Sequence, residues 1–228
     1  MKNFTLDGRL ASAAKFVRQG ARFADIGTDH AYLPIFLLQR NTVDFAVCSD
    51  INEGPLNSAK ENAREAGVFE KIEFTLADGL DALSDKELTD IAICGMGGEL
   101  IAEIVARAEF IKDENIRLIL QPMSKFAELR RSLAALGYEI ENEAYSTSQG
   151  KDYVTLCAHF DGKKREISEI EAEFGKEEFL LPLTEERKRF LEKHRASLGR
   201  AVLGKEKGGI ENPPERALLN YANEILGR

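Results

Sequence analysis

No run of the 228-residue sequence approaches the roughly 18 consecutive apolar residues that a membrane helix needs, which excludes a transmembrane helix. The opening "MKNFTLDGRLASAAKF" has no apolar core before a small-residue cleavage site, so no secretory leader is expected and the cytoplasm is the expected location. Cysteine is scarce: Cys48, Cys94 and Cys157 are odd in number, far apart and set in apolar strand-like runs. They read as reduced core residues, and their spacing fits neither a disulfide framework nor a zinc site. His30, His159 and His194 are equally scattered, so no metal site is expected. Positive charge is lacking overall, at a net −8, which excludes a protein that coats nucleic acid by charge alone.

The charge is unevenly distributed, however. From Thr184 to Lys207 eight basic residues face four acids, so this segment carries +4 and the rest of the chain −12. Such asymmetry marks either a phosphate-facing surface or a solvated helix face.

Through the first two-thirds, short aliphatic runs alternate with helical patterns. "ARFADIG", "DFAVCSDI", "KIEFTLADG", "DIAICGM" and "IRLILQP" read as strands, and the segments that follow most of them carry helical periodicity. "LDGRLASAAKFV" predicts one more helix before the first strand. This is the pattern of a parallel sheet covered on both faces. After Gly137, two strand-like segments flank "SQGKD" and predict an antiparallel pair. An α/β parallel sheet that ends in an antiparallel pair is the layout of a class I, Rossmann-like methyltransferase. A dinucleotide-binding dehydrogenase more often continues into a second parallel half.

Beyond Asp161, a stripe of Phe190, Leu191, Leu198 and Val202 with Thr184 as N-cap predicts one helix. The chain breaks at Gly208 and Gly209 and restarts after Pro213 and Pro214, with Leu218, Tyr221 and Ile225 on one face. The expected division is a catalytic domain over residues 1–161 and a helical hairpin over residues 162–228.

In an open α/β sheet the ligand lies at the carboxyl ends of the strands, here "DIGTDH", "SDIN", "ADGL" and "CGMGG". The first of these lacks the GxGxxG that lets a backbone approach a pyrophosphate, and it carries acids where a phosphate loop avoids them. A cationic sulfonium cofactor, S-adenosylmethionine, suits Asp25 and Asp29. Asp50, 25 residues after Asp25, is placed to accept bonds from ribose hydroxyls, and Asp78 with Gly79 falls where an adenine edge is read. A lone acid before a turn is more commonly a strand-end cap; four such loops in register favour the cofactor. "CGMGGELI" lacks the Asn/Asp-Pro-Pro-Tyr that enzymes methylating exocyclic amines commonly place there. Its Gly95, Gly97 and Gly98 allow close backbone approach or simply a tight turn.

The run "RLASAAKFV…ADIGTDHAYLPI…SDINEGPLNSAKENA…ADGL…CGMGGELI…LILQPM…LRRSLAALGYEI…GKDYV" resembles the bacterial tRNA (adenine-22-N1)-methyltransferase family. The resemblance covers the α/β part almost end to end and weakens beyond it. It implies a class I fold with a C-terminal helical, coiled-coil-like domain, S-adenosylmethionine as methyl donor and tRNA as substrate, with no membrane and no obligate protein partner. Carried over by position, Asp25, Gly27, Asp50, Ile51, Asp78, Gly79 and Gly95 line the cofactor, with Met96 close by. Asp29 and His30 face the base as catalytic candidates. His30 at a helix start also suits capping or packing, and Tyr32 suits base stacking or helix packing equally. The rival readings are methyl transfer to another RNA, a small molecule or a protein, a nicotinamide-dependent oxidoreductase, and a cofactor-binding module without catalysis.

Overall fold

The computed structural model describes residues 2–227. After helix α1 (Gly8–Ala14), capped by the Asp7 carboxylate at 2.8 Å from Leu10 N, the chain alternates strand and helix. The order is β1 (Arg22–Ile26), α2 (Tyr32–Gln39), β2 (Phe45–Asp50), α3 (Glu53–Ala66), β3 (Ile72–Leu76), β4 (Asp90–Gly97), α4 (Gly98–Arg107), β5 (Arg117–Ser124) and α5 (Phe126–Leu136). Gly67 closes α3 in the left-handed region at φ 72°, where a glycine carries no Cβ penalty. Then β6 (Tyr138–Ser148) and β7 (Lys151–Phe160) form a hairpin through Gln149 and Gly150, both at positive φ. The seven strands lie in the order β3-β2-β1-β4-β5-β7-β6. Those from β3 to β5 pair in parallel, and β7 is antiparallel to both β5 and β6. Every strand expected from the sequence is present, in the methyltransferase arrangement.

The sheet is covered on both faces, which is why β1 and β2 are buried along nearly their whole length. One face packs Leu33, Ile35, Leu37, Ala59 and Ala63 against Phe23 and Ala46. The other packs Ile101, Ile104, Val105, Leu129 and Leu133 against Ile26, Ile91 and Leu118. Cys48 and Cys157 are buried strand residues, Cys94 is half-buried, and all three are free thiols.

Beyond the sheet come α6 (Glu169–Phe174), α7 (Glu177–Leu180), α8 (Glu185–Lys207) and α9 (Glu215–Leu226). The Thr184 hydroxyl accepts from Arg187 N at 3.4 Å, as its cap position predicts, and Phe190, Leu191, Leu198 and Val202 are all buried. A third core joins Phe174, Leu180, Phe190, Leu191, Leu198, Ala222 and Ile225, and it reaches Phe126 and Tyr145 of the sheet layer. The short helices α6 and α7 are absent from the sequence expectation. With six and four residues they carry too little periodicity to read. No described helix is long and apolar enough to cross a membrane.

Candidate active site

The loop after β1 is tightly folded. Gly27 lies at φ 71°, Asp29 at 46° and Ala31 at 55°, three left-handed residues within five. The amides of Gly27 and Thr28 donate to the Ser49 carbonyl at 2.8 and 3.0 Å. Those are amides that a phosphate-binding loop presents to its ligand, and here β2 has taken them. The loop therefore offers side chains to a ligand. Asp25 is buried at 6% exposure and accepts the Thr28 hydroxyl at 2.6 Å. Burial pushes its pKa up to about 6; the Thr28 bond and the Arg9 charge pull against that rise, and Asp50 adds to it.

Asp29 and His30 stand at the open mouth of this loop, their side chains 68% and 44% exposed, with His30 Nε2 3.5 Å from Asp29 Oδ2. The imidazole stacks on Tyr32 at 5.1 Å between ring centres, and Tyr32 in turn meets Phe4. Asn62 of α3 donates to the His30 carbonyl at 3.0 Å and holds the turn. The Tyr32 ring thus packs against His30 and Phe4 and remains 40% exposed.

At the end of β4 the register against β5 slips around Gly95, a bulge of the kind that re-aims side chains beside active sites. Gly95 takes φ 82°, and the bulge turns Met96 across to β1. Gly27 is required by its φ of 71°, and a Cβ there would lie 2.2 Å from the flexible Met96 Cε, which packs over it. Gly98 has a different reason: a Cβ there would meet the Lys125 carbonyl at 2.2 Å, which makes it a packing glycine between α4 and the β5–α5 turn.

Two functional residues escaped the sequence reading. Gln121, fully buried near the end of β5, accepts from Gly95 N at 3.2 Å and from Arg9 Nη1 at 3.0 Å. It braces the bulge and brings the Arg9 guanidinium from α1 into the cleft, where its charge acts on Asp25. The signal was a polar residue ending an otherwise apolar strand, "LILQ", and an arginine ahead of the first strand that no local pattern connects to it.

The ends of β2 and β3 continue the cleft. Asp50 is nearly buried and caps its own turn, accepting from Asn52 N at 2.9 Å, while Ile51 beside it is 62% exposed. Asp78 pairs with Arg107 through contacts of 3.2 and 3.3 Å and its side chain stays half exposed, while Gly79 beside it is buried and its carbonyl accepts from the Ser49 hydroxyl at 3.5 Å. Of the seven large apolar residues that are exposed among the described residues, five (Tyr32, Ile51, Leu76, Leu100 and Met123) lie at the carboxyl edge of the sheet. Exposed apolar side chains gathered on one edge mark a ligand surface.

A cavity of about 450 Å³ opens at this edge, within the range of small-ligand sites. Five of the ten residues expected from the sequence line it: Asp25, Gly27, Asp29, His30 and Gly95. Asp50, Ile51, Asp78 and Gly79 lie beyond its wall on the neighbouring strand ends, and Met96 packs behind Gly27. Buried Asp25 with its raised pKa, exposed Ile51 and a loop whose Gly27 and Thr28 amides are already bonded to β2 fit a cationic nucleoside cofactor.

Fold and site together define a class I, S-adenosylmethionine-dependent methyltransferase, and residues 6–156 match the family model described as a methyltransferase domain. A Bacillus subtilis tRNA (adenine(22)-N(1))-methyltransferase is 35% identical over 158 residues, a match spanning 69% of this chain and 66% of that relative. A Mycoplasma pneumoniae putative tRNA methyltransferase is 34% identical over 65% of this chain and 69% of its own length. Among solved structures, a putative tRNA (m1A22) methyltransferase from Streptococcus pneumoniae, in complex with S-adenosyl-L-methionine, superposes with TM-score 0.82. It is 32% identical, over 96% of this chain and 98% of that one. The chain belongs to the tRNA (adenine-22-N1)-methyltransferase family.

Proposed function

We propose that the chain transfers a methyl group from S-adenosylmethionine to N1 of adenine 22 in tRNA. The observation that carries the reading is the carboxyl-edge cavity, whose lining includes the buried acid Asp25, a group that favours a cation over a phosphate. The B. subtilis tRNA (adenine(22)-N(1))-methyltransferase and its S. pneumoniae counterpart supply the acceptor by analogy. Asp25 holds the cofactor's ammonium and Arg9 its carboxylate, Gly27 and Gly95 give close backbone approach, and Met96 backs the loop. Asp50 takes the ribose hydroxyls, Ile51 packs on the adenine face, and the backbone at Asp78 and Gly79 reads the adenine edge.

When bound, this cofactor supplies an electrophilic methyl on a cationic sulfur. Adenine N1 carries an in-plane lone pair and needs no deprotonation before attack. The chain must therefore extract the base, align it for in-line displacement and exclude water. Asp29 accepts a hydrogen bond from N6 and stabilises the positive charge that grows on the ring, and His30 with Tyr32 walls the mouth. Residues 1–161 carry this chemistry, and the basic α8 within 162–228 faces the tRNA phosphates. Free thiols and an RNA substrate suit a cytoplasmic setting. Incubation with unmodified tRNA and cofactor should give one reverse-transcription stop, because N1-methyladenine blocks the pairing edge. Absence of a stop on every tRNA would sink the reading.

Asp25 gives this assignment a pH signature. Its folded pKa of about 6 lies above the ordinary 3.8, so its contribution to the free protein's stability is full below pH 3.8 and is lost as pH rises through 6. An ammonium beside it favours the carboxylate and reverses that preference. Cofactor affinity should then be about 10-fold weaker at pH 5 than at pH 7, by linkage. Calorimetry should show the slope vanish in Asp25→Asn and persist, at lower affinity throughout, in Arg9→Met. A flat profile in the wild type would remove Asp25 from the cofactor.

A further inference from the structure

We propose that the groove between the end of β5, the start of β7 and α8 receives the base of a nucleotide flanking the target adenine. The proposal rests on the RNA substrate argued above and adds a second contact to it. In the sheet register Pro122 pairs with Met96, and Ser124 with Gly97. Met96 lies against Gly27 of the cofactor loop. The groove therefore begins one strand, roughly 5 Å, from the methyl-transfer cleft.

Its volume is about 300 Å³, enough for one base with its sugar. Met123, 47% exposed, forms an apolar wall with Phe126 and Tyr153, and Lys151 and Lys193 stand at the rim. The walls are fixed. Phe126 meets His194 at 5.2 Å and Phe190 at 5.8 Å between ring centres, and Arg189 and Lys193 of α8 donate to the Gly150 carbonyl of the hairpin turn at 3.0 and 3.3 Å. Both cations also pair with the single carboxylate of Asp152. Two positive charges on one acid, with Lys151 beside them, leave the rim positive in a chain of net charge −8.

An apolar and aromatic slot with a cationic rim is the chemistry that holds an unstacked base and its phosphate. It also answers a requirement of the reaction. Drawing an adenine out of folded RNA breaks the stack it shares with its neighbour, and a site for that neighbour offsets the cost.

Steady-state kinetics on the intact chain with tRNA transcripts tests this. Met123→Ala with Tyr153→Ala should raise KM for tRNA about 10-fold, the scale of one lost base stack, with kcat within about 2-fold and cofactor affinity unchanged. A transcript abasic at the position 5′ or 3′ to the target adenine should carry a similar penalty with the wild type and almost none with the double variant. Lys151→Ala, an exposed position whose loss leaves the fold intact, should lower the salt dependence of tRNA binding by about one counterion. Unchanged KM in these variants, or abasic and protein penalties that simply add, overturns the proposal while methyl transfer itself stands. A concentration-dependent dimer that Met123→Ala disperses would assign the groove to a second copy of the chain and overturn it as well. Absence of methyl transfer to any tRNA refutes the functional reading instead.

Discussion

Asp29→Asn should lower the single-turnover rate of methyl transfer at least about 100-fold, the low end for loss of a positioned acid–base or charge-stabilising group. Cofactor affinity should change less than about 2-fold, within the small effect of an isosteric exposed substitution. The substitution isolates charge. Asp29 occupies the left-handed region at φ 46°, which asparagine tolerates as well as aspartate, so the loop keeps its shape. Its side chain is 68% exposed at the mouth, with the imidazole of His30 at 3.5 Å. Asp25, by contrast, is buried behind it with Thr28. The two acids of one loop thus differ in depth, and in the proposed function the inner one meets a charge that arrives with the cofactor, the outer one a charge that develops on the base. Quench-flow rates paired with calorimetry separate the two. A large loss of cofactor binding in Asp29→Asn would move that residue into the cofactor shell.

Much of this layout was legible in the sequence because it depends on local signals. The parallel strands β1, β2 and β4 are short, mostly apolar runs buried over at least half their length, and each ends in or runs directly into an acid or glycine that the carboxyl-edge rule selects. Asp78, expected to read a ligand through its carboxylate or neighbouring backbone, pairs with Arg107, 29 residues away, a partner that no local pattern announces. Arg9 and Gln121, 112 residues apart in sequence, meet only because α1 packs beside β5. No pattern within a window announces such a pair. The same holds for α6 and α7, whose position is set by tertiary contacts with α5 and β6.

Those contacts centre on Arg130 and Glu143, and Glu143→Gln should cost about 3–5 kcal/mol of stability, the penalty of stranding a buried charge. Both side chains are 1% exposed, and the guanidinium forks onto the carboxylate through two bonds of 2.7 Å. Burial alone opposes the charge on Arg130, and the carboxylate reverses that, leaving its pKa raised. Arg130 also donates to the carbonyls of Ala172 at 2.8 Å and Glu173 at 3.2 Å, at the end of α6. Tyr145 places its hydroxyl 2.9 Å from Glu143 and 3.1 Å from the Phe174 carbonyl. Gly175 completes the closure at φ 77°, since a Cβ there would lie 2.7 Å from the Glu143 oxygens. One ion pair therefore fastens α5 and β6 of the sheet layer to the start of the helical segment. Truncation after residue 161 would remove α6 and uncover Arg130, harming the catalytic part along with the appendage. Point variants are the cleaner probe of what residues 162–228 do. Urea denaturation of Glu143→Gln should show the loss, and Arg130→Met combined with Glu143→Leu should recover most of it, because an apolar pair leaves no charge behind. A cost below about 1 kcal/mol for the single variant, the range of solvated pairs, would mean that water reaches this junction and that the helices swing free of the sheet.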